Sequence, residues 1–145
     1  MSRWRRPAGD AGNALVEFVY LAVLLMVPLV YLLLAVFRVQ AAAFGVTEAA
    51  RQAGRAYARA DDPAAADVVG TAAARLALAD QGMTWTGAPE FCDGRCSLVP
   101  GSTVRTAVSY TVALPFVGTL FGAGRAGIPV HAVHVEVVDR FRQGP

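Results

Sequence analysis

Glu17-Phe18-Val19-Tyr20-Leu21-Ala22-Val23-Leu24-Leu25-Met26-Val27-Pro28-Leu29-Val30-Tyr31-Leu32-Leu33-Leu34-Ala35-Val36-Phe37-Arg38 sets twenty uncharged residues, Phe18 to Phe37, between a carboxylate and a guanidinium. As a helix, such a run rises about 30 Å, roughly the depth of a bilayer's hydrocarbon core, so the stretch predicts one membrane-spanning helix. Arg3, Arg5 and Arg6 precede it. Short arginine-bearing flanks stay on the cytoplasmic side, which predicts an inner amino end and an extracytoplasmic carboxyl-terminal domain. Pro28 lies mid-span, where the missing N–H and the ring's clash with the preceding turn predict a kink. A locally melted stretch that lets subunits slide is the alternative there.

Glu17 needs an explanation of its own. A carboxylate carried to membrane depth costs from about 2.5 kcal/mol upward at a helix centre, less at the edge, where the side chain can reach toward the headgroups. A simple interfacial position is therefore one reading. The other uses Gly12: a cut after this glycine gives Asn13 a free ammonium four residues before Glu17, one helical turn away. Acid and amine at that spacing, on one helix or between packed neighbours, neutralise each other where the dielectric is low.

A basic leader ending in glycine, a few apolar residues, a glutamate fifth in the would-be mature chain, an aromatic and a long apolar helix resemble the processing site of type IV pilins and pseudopilins. Asn13-Ala14-Leu15-Val16-Glu17-Phe18, with Glu48-Ala49-Ala50-Arg51-Gln52-Ala53-Gly54-Arg55 beyond the span, is similar to the TadE-like pseudopilins of tight-adherence (Flp) pilus systems. The resemblance is specific over roughly Gly12 to Ala60 and diffuse beyond. It implies that a membrane prepilin peptidase cuts between Gly12 and Asn13, and that Glu17 is the carboxylate needed for processing or for insertion beside a neighbouring subunit. It implies as partners that peptidase, other pilin or pseudopilin subunits met through the amino-terminal helix, and an inner-membrane assembly platform.

Two other expectations compete with it. A single-pass, membrane-tethered binding domain keeps its leader. A secreted protein uses Arg5-Arg6 as a twin-arginine signal, is cleaved after Ala43 and begins at Phe44. Signal h-regions run about 7 to 15 residues, shorter than this span, and Arg38 and Gln40 intervene before Ala41-Ala42-Ala43.

The basic residues number 13 and all are arginine; the net charge of +2 resides in the leader, and the chain from Asn13 onward is balanced. A neutral mature chain carries no electrostatic footprint for nucleic acid. Gln40 to Ala60 is free of proline and rich in helix formers, which predicts that the membrane helix continues as a stalk, about 70 Å from Asn13 to Ala60. Ala41 with Gly45, Ala49 with Ala53 and Ala50 with Gly54 place small residues four apart, a spacing that lets helices approach closely; subunit packing and plain alanine bias both account for it. Arg51, Arg55 and Arg59 form a like-charged stripe, answered in part by Glu48. A solvated face is the default reading, and a docking stripe for an acidic partner or lipid phosphate the alternative.

Asp62 as N-cap and Pro63 in the first helical position predict a second helix running to Asp80 and ended by Gly82, with Val69, Ala72, Leu76 and Ala79 as its packing face. Thr103 to Val112 alternates, with Val104, Thr106, Val108, Tyr110 and Val112 on one face, and reads as a half-buried strand. Val130 to Val138 reads as another, after a long glycine-bearing loop from Pro115 to Pro129. The expected fold is α+β: a long transmembrane helix continuing into a stalk, a second helix, then three or four short antiparallel strands, pilin-like in outline. The expected organisation is a leader over 1–12, a span over 13–37, a stalk over 38–60 and a small domain over 61–145.

Cys92 and Cys96 enclose Asp93-Gly94-Arg95 in a segment expected outside the cytoplasm, which predicts a disulfide closing a small loop. Zinc is the alternative. His131 and His134, three apart on a strand, point to opposite faces and do not chelate one ion together. Gly122-Ala123-Gly124-Arg125-Ala126-Gly127 matches the dinucleotide fingerprint, but Pro129 and a strand follow where a helix is required, so it reads as loop. Ser97, Ser102 and Ser109 lie in no nucleophile-elbow context. Neither catalysis nor a cofactor is expected.

Overall fold

A computed structural model of the 145-residue chain describes residues 10–94, 96–114 and 127–141, with side chains from Asn13. The elements are α1 (Asp10–Ala58), α2 (Pro63–Asp80), β1 (Glu90–Phe91), a 3-10 turn at Cys92–Gly94, β2 (Thr103–Ala113) and β3 (Gly127–Val137). Two compact units are formed, Met1–Phe37 and Arg38–Pro145.

The first unit contributes the leading part of α1. Leucines, valines, phenylalanines and Met26 point away from the chain's own atoms on every side. Nothing in its most apolar window is buried, and the helix is long and apolar enough to cross a membrane. It passes through Pro28 without a break.

In the second unit, α1 from Arg38 to Ala58 is the central element of a folded domain and not a bare stalk. Ala42, Val46, Ala49, Ala50, Ala53 and Tyr57 are buried beneath α2 and the sheet. Of the small residues at four-residue spacing, Gly45, Ala49, Ala50, Ala53 and Gly54 are therefore used inside the chain, while Ala41 is exposed. A Cβ on Gly54 would lie 3.2 Å from the Thr106 hydroxyl and 3.3 Å from the His134 ring, so glycine is what lets the sheet come close.

Asp62 caps α2 through Oδ1, which accepts from the amides of Ala64 and Ala65 at 2.9 Å each. At the other end the Gly82 amide donates to Ala79 and the Met83 amide to Leu78, and Gly82 has a φ of +72°. This is the reciprocal pair of hydrogen bonds that closes a helix on a left-handed residue, a conformation glycine adopts without a Cβ penalty. The helix bounds match the sequence reading, but its packing face does not. Val69, Ala72, Leu76 and Ala79 are exposed, and the buried positions are Ala66, Gly70, Ala74, Ala77 and Leu78. Val69 and Leu76 are kept off this face, where Leu78 is the one large side chain enclosed, because at Gly70 α2 approaches α1 and β1 too closely to admit another. A Cβ on Gly70 would lie 2.7 Å from the Phe91 ring and 3.3 Å from the Ala53 carbonyl oxygen.

The sheet has three antiparallel strands in the order β1-β2-β3. Two of them are eleven residues long, not short, and pair along their whole length from Thr103 opposite Val137 to Ala113 opposite Gly127. The inner face of β2 is the expected one: Val104, Thr106, Val108 and Val112 are buried and Tyr110 half-buried. β3 starts three residues before the sequence reading, so Gly127, Ile128 and Pro129 belong to a strand and not to the loop. Pro129 is tolerated because β3 is an edge strand, where a missing N–H interrupts no ladder. The rest of the expected loop, 115–126, lies outside the described residues, and with it most of the glycine-rich run.

Candidate functional site

The amino-terminal site is built on one element. Asn13 and Glu17 both lie on α1, one turn apart, and both side chains are exposed. The Gly12–Asn13 peptide bond lies within α1, which is described from Asp10 onward. Among the described residues no side chain pairs with Glu17.

Cys92 and Cys96 form a disulfide with Cα atoms 5.1 Å apart. Cys92 and Asp93 both adopt left-handed backbone, φ 47° and 51°, a conformation unfavourable for residues with a Cβ and held here by the covalent loop closure. The Arg105 guanidinium reaches Asp93 at 3.5 Å, and the Arg105 amide donates to Cys92 Sγ at 3.3 Å, so β2 anchors the loop. The adjoining strand brings Phe91 onto the Tyr57 ring, centroids 4.4 Å apart, which ties the loop to the carboxyl end of α1.

The two histidines fall on opposite faces of β3, His131 outward and His134 inward. The inward parity of the strand carries His134 and Glu136, while Val133, Val135 and Val137 point outward. His134 Nε2 lies 3.0 Å from Glu136 Oε2, and Arg55 of α1 approaches the same oxygen at 3.9 Å. Thr106, directly opposite His134, is fully buried with its hydroxyl unpaired, as is the Tyr57 hydroxyl. This polar seam between α1 and the edge strand was not found in the sequence. The signal for it was present: Val130, Ala132, His134 and Glu136 share one parity, and Gly54 opposite them removes the side chain that would have kept α1 away. Arg55 is thus drawn out of the arginine stripe by Glu136, while Arg51 pairs with Glu48 at 3.7 Å.

Among the described residues no group of three or more His, Cys, Asp or Glu side chains is placed to hold a metal ion. Gly127, the last glycine of the dinucleotide-like run, opens a strand. Comparison with protein-family models, with curated proteins and with solved structures finds no match for this chain.

Proposed function

We propose that this chain is a TadE-like pseudopilin: a single-pass component of a tight-adherence pilus assembly system, matured by a prepilin peptidase and held by α1. The observation that carries the reading is the leading part of α1, whose most apolar window buries nothing and which presents Asn13 and Glu17 one turn apart, with no partner for the carboxylate among the described residues. Cleavage after Gly12 removes Arg3, Arg5 and Arg6 and creates an ammonium at Asn13. That ammonium pairs with Glu17 of the same or an adjoining subunit as the helix moves from lipid into a bundle of like helices. The pilin-like outline, the orientation with the amino end in the cytoplasm and the extracytoplasmic position of the second unit belong to the same proposal. A disulfide in that unit supports the orientation, because such bonds persist in oxidising compartments. The unbroken path of α1 through Ala41-Ala42-Ala43, with Ala42 buried, speaks against a secreted form starting at Phe44.

Intact mass of the chain taken from its native membrane tests the reading, with Asn13 as the expected first residue. A chain still beginning at Met1 or Ser2 favours the tethered domain without processing. Glu17→Ala is expected to leave membrane insertion unchanged and to abolish processing or assembly; normal maturation and piliation in that variant overturn the role of the carboxylate.

A further inference from the structure

The outer face of α1 beyond Arg38 sets groups of both charge signs beside an open groove. On a helical wheel at about 100° per residue, with Glu48 as origin, Arg51 lies about 60° to one side and Gln52 about 40° to the other. Phe44 lies about 40° from Glu48 on the Arg51 side, 76 % exposed although it lies beyond the apolar span. On the Gln52 side, α1 and α2 leave an open groove of about 220 Å³ with Ala73, Ala77 and Leu76 along it and Glu48, Asp80 and Gln81 at its rim. Leu76, on the groove, is 65 % exposed. On the other side stands Arg51, whose only ion pair among the described residues is the 3.7 Å contact with Glu48.

A two-fold axis parallel to α1 brings the Arg51 side of each copy against the groove side of the other at the same height. We propose that two copies pair in this way, Arg51 of each entering the α1–α2 groove of the other between Glu48 and Asp80, with the Phe44 rings meeting near the axis. The contact is self-complementary, as a two-fold interface requires: basic flank meets acidic groove twice. Its direction also fits two anchored chains, since a parallel axis keeps both amino ends on one side. Antiparallel pairing of the open β3 edges does not. Its two-fold axis stands perpendicular to the sheet and reverses α1, which lies along the sheet.

The inference rests on the membrane-anchor part of the proposed function only through this shared direction, and the uncut chain suffices to test it. The full chain is placed in phosphatidylethanolamine–phosphatidylglycerol vesicles and oxidised with copper phenanthroline. F44C is expected to give a cross-linked dimer, and V133C, on the outer sheet face, to stay monomeric. R51E and E48R, each in the F44C background, are expected to lower the cross-linked fraction on the order of tenfold, as reversal of a charge across an interface does. The double reversal E48R/R51E is expected to restore it, and a thermal melt of each single variant matching that of F44C alone separates loss of pairing from loss of folding. Equal cross-linking of F44C and V133C overturns the proposal, as does a double reversal no better than its singles. Failure of Gly12 processing in cells leaves this result untouched, so the two readings fail separately.

Discussion

Between Leu15 and Phe37, α1 turns its leucines, valines and phenylalanines outward, whereas between Ala42 and Ala58 the same helix buries alanine, glycine, one valine and one tyrosine. The hydrophobic content is therefore highest where this fold buries nothing. A helix apolar all round is solvated by something apolar, and here that solvent is not the chain itself. The alanine half works by the opposite principle. Small side chains gain little transfer energy each, but they let α2 and the sheet approach until Tyr57 and Leu78 are completely enclosed and Phe91 is buried.

Five substitutions can break or sharpen this contrast. The largest effect is expected from Tyr57→Ala, which empties the centre of the small core and costs about 4 kcal/mol, read as a fall in the thermal midpoint of the disulfide-intact chain in detergent. Tyr57→Phe separates packing from polarity: it removes only an unpaired buried hydroxyl and is expected to be neutral or stabilising by up to about 1 kcal/mol in the same melt. Val27→Arg, at the centre of the exposed run, leaves that melt unchanged and instead opposes membrane insertion by about 3 kcal/mol, read by a glycosylation-based insertion assay. An intact insertion efficiency there would remove lipid as the solvent of this half. Gly70→Ala forces the Phe91 ring off its seat and is expected to cost about 2 kcal/mol, although alanine is the better helix former. If it stabilises, close approach of α2 is not what holds the second unit together. Val133→Thr on the outer face of β3 is expected to change the midpoint by less than about 0.5 kcal/mol equivalent, since this valine is half exposed and covers no core. A large loss would show that the outer sheet face is covered after all.

What could be read in advance followed chain-local chemistry. The apolar run was legible because the length of a spanning helix is set by bilayer thickness. The bounds of α2 were legible because Asp62-Pro63 and Gly82 satisfy backbone groups within a few residues of themselves. The parity of β2 was legible because its alternation is clean, and the disulfide because its two cysteines are neighbours. The helix turn that joins Asn13 to Glu17 belongs to the same class.

The packing face of α2 could not be read this way. By side-chain size Val69 and Leu76 are the natural core residues, and only the distance between α1 and α2, set by Ala53, Gly70 and the Phe91 ring, excludes them. The seam of Arg55, Glu136, His134 and Thr106 is of the same kind, since it needs β3 paired to β2 in one register and α1 lowered onto both at Gly54. The sequence by itself determined the bounds of α2, the extent of the long apolar run and which cysteines join, because those outcomes depend on groups a few residues apart or on total hydrophobicity. The tertiary structure alone decided which face of α2 is inside and how β3 meets α1, because close packing is a condition on three elements at once and no single segment carries it.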